Sequence, residues 1–237
     1  MVERGVETLQ AANADVYDHA ALHSAAAAMA VEVGNLPFAQ AEADTAIKLG
    51  RRGNSPLQTA LAFYAFALAS WQSDPDAARV AVEESLRMGY QTVGNMGGAR
   101  ARAIALAAQL RSEAGDLRRG LDALEEALNV AHADGDRTSM ASSLARGVGI
   151  VLSAGDAQAA AVFGGAVSGG IVAKLHALPV PERPRYRELL DDVRAALGKA
   201  AYDAAMARGR AMSYDELVDF ALASVDTAKA LHADQPD

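Results

Sequence analysis

Apolar residues recur every three to four positions in long runs along this chain, the runs end at short polar turns, and alternating β-branched stretches are missing. The pattern predicts helices throughout. Four turns, Gly34-Asn35, Ser73-Asp74, Gly115-Asp116 and Gly155-Asp156, each separate two apolar runs, and their second residues lie 39, 42 and 40 positions apart. A recurrence of roughly 40 residues marks a stacked array of helical hairpins, because one hairpin cannot bury its own apolar face and must lean on the next.

After each turn small or apolar residues fall at fixed offsets: Ala39, Ala43 and Ala46; Ala78, Val82 and Ser85; Gly120, Leu124 and Ala127; Ala160, Gly164 and Val167. Steps of four and three put each trio on one helix face. The hairpins predicted are 15–33 with 37–49, 56–72 with 75–88, 99–114 with 117–133, and 138–154 with 157–175, preceded by an introductory helix at 2–12. Gly89 to Gly98 is the longest internal loop. Pro179, Pro181 and Pro184 mark a break, after which helices are expected at 185–197, 200–208 and 214–231, the last opened by a Ser213/Glu216 capping box, with 234–237 as a frayed tail. The organisation expected is a repeat array over 1–175 and a C-terminal helical cap over 176–237.

The four hairpins resemble tetratricopeptide repeats, with a unit longer than that family's usual one and with Phe66 standing where Ala27 and Ala108 supply the small residue the family favours. The resemblance implies an all-α, right-handed superhelical array of about four hairpins. A second resemblance rests on Pro181-Glu182-Arg183-Pro184-Arg185-Tyr186, on Ala196-Leu197-Gly198-Lys199-Ala200-Ala201-Tyr202, and on Gly209 to Leu217 with Ala221-Leu222. That block is similar to the C-terminal helical region of actinobacterial STAND-class signalling ATPases, which carry nucleotide cyclase or LuxR-type DNA-binding domains. The resemblance implies a sensor or scaffold part of a multidomain bacterial signalling or transcriptional regulator. The alternative is a free-standing adaptor that holds a partner peptide in its concave groove.

Composition sharpens this reading. The chain is 51% hydrophobic but only 5% aromatic, so alanine supplies much of the packing, and each contact buries little area. A net charge of −8 argues against direct contact with nucleic acid or an anionic membrane. The absence of cysteine removes disulfides and thiolate metal sites and fits a cytoplasmic protein, and no apolar run reaches membrane-spanning length.

Candidate chemistry is sparse. Gly198-Lys199-Ala200 lacks the upstream glycine and the hydroxyl of a phosphate loop, and Gly94 to Gly98 with Arg100 reads as an inter-repeat loop because no strand precedes it. Ala166 to Gly170 faintly echoes a nucleophile elbow around Ser168, but glycines at 165 and 169 more simply let helices approach. His19 and His23 have helical metal-clasp spacing without a third ligand, and Glu83-Glu84 and Glu125-Glu126 read as solvated helix faces. We therefore expect no catalytic residues, metal or cofactor, and a domain that binds a protein, a peptide or a small effector. Groove positions of the tetratricopeptide family, carried onto matching residues, select Ser24, Phe63, Ser70, Arg102, Gln109 and Ser142 as partner-binding. Phe63 and Trp71 are either interface anchors or large fillers of an alanine-rich core, and the core reading is favoured.

Overall fold

The computed structural model describes residues 2–11, 14–90, 98–173 and 177–232. Among them are twelve α-helices, one 3₁₀ turn and no strand, so the chain is all-α. Residues 91–97 of the loop expected at 89–98, residues 174–176 and the tail at 234–237 lie outside the described residues. Two compact units are formed, one by residues 1–103 with 179–181, the other by 104–178 with 182–237.

In the first unit, α1 (Val2–Ala11) lies on α2 (Val16–Val33), α2 pairs with α3 (Leu36–Arg52), and α4 (Pro56–Ser70) packs on α2, α3 and α5 (Pro75–Gly89). Glycine closes the first hairpin for a steric reason: Gly34 has φ 85°, which lets its N–H donate to Val31 and lets Asn35 N–H donate to the Ala30 carbonyl. The second hairpin turns without glycine, through Ser73 and Asp74 N–H groups that both donate to the Ser70 carbonyl. Asp74 then caps α5 at Ala77 N–H, and Ser55 caps α4 at Gln58 N–H, each followed by a proline in the first turn. Ala39, Ala43, Ala46, Ala78, Val82 and Ser85 are buried as their spacing predicts. Trp71 is buried too, as the core reading expected.

The second unit takes up most of α6 (Ala99–Glu113), then α7 (Leu117–Ala133), α8 (Arg137–Ser153), α9 (Ala157–Gly169), the 3₁₀ turn Val180–Glu182 through its last residue, α10 (Arg183–Leu197), α11 (Lys199–Ala211) and α12 (Tyr214–Leu231). Its large buried side chains include Leu121, Leu124, Leu128, Met140, Leu144, Phe163 and Leu217. Three turns share one design. Gly115, Gly135 and Gly155 adopt positive φ, and the aspartate that follows each one caps the next helix. Gly135-Asp136 joins the third hairpin to the fourth, so the same device serves both within and between hairpins.

Several boundaries differ from those expected. α3 continues to Arg52, and α11 occupies Lys199–Ala211 rather than 200–208. α10 begins at Arg183, because Pro184 sits in its first turn, where a missing N–H costs nothing. α9 stops at Gly169 rather than running to 175, at a pair of glycines, and Val167 near that end is only half-buried. The C-terminal helices pack on the fourth hairpin and on α7. α11 crosses α9 so closely that a Cβ on Gly209 would lie 2.0 Å from the Val162 carbonyl oxygen, and one on Gly165 would lie 2.2 Å from that of Met206. The glycines around Ser168 therefore serve helix approach. Ser213 and Glu216 form the expected capping box.

Candidate functional site

The six residues selected from the sequence separate by burial. Ser24, Ser70 and Ser142 are inside the packing: Ser24 Oγ donates to the Gln58 carbonyl, and Ser70 Oγ donates to the Phe66 carbonyl and accepts from Gln40. Phe63 and Arg102 in the first unit, and Gln109 in the second, are partly exposed. Arg102 Nε donates to the Gly98 carbonyl one turn back.

Phe63 belongs to a surface groove of about 470 Å³ in the first unit, lined by Asp44 and Ile47 of α3, Phe63 and Phe66 of α4, Asp74 at the head of α5, and Asp76, Ala77, Val80 and Ala81 of α5. Small residues create it. Phe63 and Phe66 lie against Ala46, Ile47 and Ala62, and Phe66 also against Ala27, Ala43 and Ala65, so both rings rest on an alanine floor with one side open. Val80 stands beside them 63% exposed, a large apolar residue left in water. The Arg51 guanidinium lies 5.2 Å from the Phe63 ring centroid, and Arg79 pairs with Asp76 at 3.0 Å. Asp44, Asp74 and Asp76 leave the groove with one more negative charge than positive, on an aromatic and aliphatic floor. Sequence reasoning found Phe63 but missed Phe66, Ile47 and Val80. The scarcity of aromatics was the available signal, since two of five phenylalanines lie three apart on one helix face.

Gln109 sits at the edge of a buried polar network in the second unit. Its Oε1 accepts from Arg146 Nη1 at 2.5 Å, and its Nε2 donates to Glu113. Arg146 is almost fully buried and holds the equally buried Glu182 through both terminal nitrogens, Nη1 and Nη2, at 2.9 Å, while Arg185 pairs with Glu113 at 2.9 Å. The proline-rich segment thereby delivers a carboxylate onto α8. Its neighbour Pro181, in the first unit, accepts a hydrogen bond from Gln72 and lies against Gly34.

Several other titratable groups make contacts within the packing. His23 Nδ1 is 2.7 Å from Glu42 across the first hairpin, and among the described residues no three of His, Cys, Asp and Glu gather as a metal site. Glu84 is held below its ordinary value by its hydrogen bond to Arg87. Glu125 is not simply solvated: with Asp122 it binds Lys229 and fastens α12 to α7, and these bonds lift Lys229 above its ordinary value although burial opposes the charge. Burial pushes the Tyr186 phenol upward, keeping it protonated. No helix among the described residues is long and apolar enough to cross a membrane. No family model, curated protein or solved structure matches the chain.

Proposed function

We propose that this chain is a helical-repeat recognition domain that acts by binding a protein or peptide, with the groove around Phe63 and Phe66 as its docking site. The observation that carries the reading is the open aromatic floor: two half-exposed rings stand beside the exposed Val80 in one groove bordered by three aspartates. Apolar anchors of this kind supply most of the binding free energy in protein interfaces, and the surrounding charges set orientation and specificity. The partner chemistry that fits is an aliphatic or aromatic side chain flanked by lysine or arginine, which would meet Asp44 and Asp76. The similarity of the C-terminal block to STAND-class regulators supports a setting in a multidomain bacterial signalling or transcriptional regulator, where occupancy of the array would be relayed to an effector domain.

Selection from a random displayed-peptide library tests the site. The wild-type chain should enrich peptides that pair an apolar anchor with a basic residue, and Val80→Glu and Phe63→Ser should abolish that enrichment while thermal unfolding stays cooperative. Enrichment unaffected by both substitutions would place recognition elsewhere.

A further inference from the structure

The first hairpin carries a second apolar surface, distinct from the Phe63 groove. Four of the nine large hydrophobics exposed among the described residues, Tyr17, Met29, Val33 and Phe38, belong to α2 and α3. Met29, Val33 and Phe38, with Leu22, Ala25 and Ala26, line an open groove of about 330 Å³. α1 covers only part of this face, with Gly5 against Leu22.

The chain's own repeat says what kind of surface this is. Counted from the turn aspartate or asparagine, Met29 corresponds to Leu68 in α4, Leu110 in α6 and Ile150 in α8. Those three are 7%, 3% and 1% exposed, whereas Met29 is 60% exposed. Leu68 lies on a helix packed against α2, α3 and α5, and Ile150 on one packed against α7, α9 and α10. The open face therefore continues, in register, the interface by which hairpins stack, and its complement is another helical hairpin face.

We propose that two copies of this chain associate through this face, α2 packing on α2 of the second copy about a two-fold axis. A second copy brings the same uncovered hairpin face, so one self-complementary contact shields both. The area suits a weak pair. α2 has 18 residues and is about 27 Å long, and two adjacent helices span about 20 Å, so contact removes at most about 540 Å² per copy, less the part that α1 covers. The total, at most about 1,100 Å², puts the pair at the transient end of the range. Both copies carry a net charge of −8, so their mutual repulsion is screened as salt rises while the apolar contact is not weakened.

Sedimentation equilibrium of the whole chain tests the proposal without reference to the Phe63 groove. The expected result is a mass rising from monomer toward dimer between about 1 and 300 µM, and a tighter association at high salt. Met29→Glu and Val33→Glu, both at exposed helical positions, should each leave monomer over that range, while Leu231→Glu, exposed on α12, should leave the wild-type behaviour intact. A wild-type monomer throughout overturns the proposal and leaves the face to a helical hairpin of another chain or segment. Dimerisation that persists in both α2 variants, or that weakens as salt rises, overturns it as well by assigning the contact to another surface.

Discussion

Replacing Gly209 by alanine adds one methyl group at the point where α11 meets α9 backbone to backbone. The new Cβ would lie 2.0 Å from the Val162 carbonyl oxygen and 2.9 Å from the Ala166 nitrogen. Carbon and oxygen in contact stay about 3.3 Å apart, so the helices must separate by about 1.3 Å. Neither obstacle is a side chain that can swing aside. Separation would also loosen Val162, Phe163 and Met206, all buried near the crossing, so the cost belongs near the top of the range of about 1–3 kcal/mol for overpacking. Alanine returns up to about 1 kcal/mol of helix propensity, leaving a net loss of about 2 kcal/mol. Gly149 in α8 is the matched control. A Cβ there meets Leu189 at an ordinary 3.5 Å, so Gly149→Ala should keep the propensity gain of about 0.5–1 kcal/mol. Thermal unfolding followed by circular dichroism distinguishes the two, because 1 kcal/mol moves Tm by roughly 2–4 °C in a chain of this size. Gly209→Ala should melt about 4–8 °C lower and Gly149→Ala slightly higher. A Gly209→Ala protein as stable as wild type would show that α9 and α11 do not touch in this way.

Three further outcomes follow from the polar contacts. Arg146→Met should cost about 3–5 kcal/mol in urea unfolding, because it strands the buried Glu182 carboxylate, and pairing it with Glu182→Leu should recover most of the loss. Gln109→Ala takes an acceptor from that buried guanidinium and should cost about 1–3 kcal/mol, whereas Arg102→Ala, losing a bond within its own helix, should stay within about 0.5–1 kcal/mol. Stability should also respond to pH at both ends. Glu84 and Glu216 are depressed in the folded state, the first by its bond to Arg87 and the second by the Ser213 backbone N–H, so their contributions hold above the unfolded value of 4.5 and fade as pH falls through the folded values. Lys229 is raised, so its contribution is complete below 10.5 and is lost as pH rises through its folded value, and Lys229→Met should flatten that alkaline limb.

The hairpins could be read from the sequence because their determinants are local. A glycine that accepts positive φ, an aspartate that caps the next helix and small residues at steps of four and three each act within one turn of their own position, and nearly all of them do in the structure what their spacing implies. Boundaries set by tertiary contact were harder. α9 ends at Gly169 beside α11, and Pro184 starts a helix that a count of prolines had assigned to a break.

The candidate site was harder to read for a different physical reason. Ser24, Ser70 and Ser142 were selected because they match groove positions of the tetratricopeptide family, yet a serine hydroxyl can satisfy itself on a carbonyl one turn back, as Ser70 does on Phe66, or on a neighbouring helix, as Ser24 does on Gln58, and so can be buried cheaply. Phe63 and Phe66 are the converse: large apolar side chains kept half in water because their neighbours are alanines too short to cover them. The same ambiguity separates Met29 from Leu68, Leu110 and Ile150. All four obey one apolar pattern, since periodicity records which face of a helix is meant to be covered, and only the packed chain shows where the cover is missing. In an array built on alanine, the informative residues are therefore the large apolar ones that the stack leaves exposed. Two groups of them, around Phe63 and around Met29, mark the surfaces where recognition and self-association should be sought.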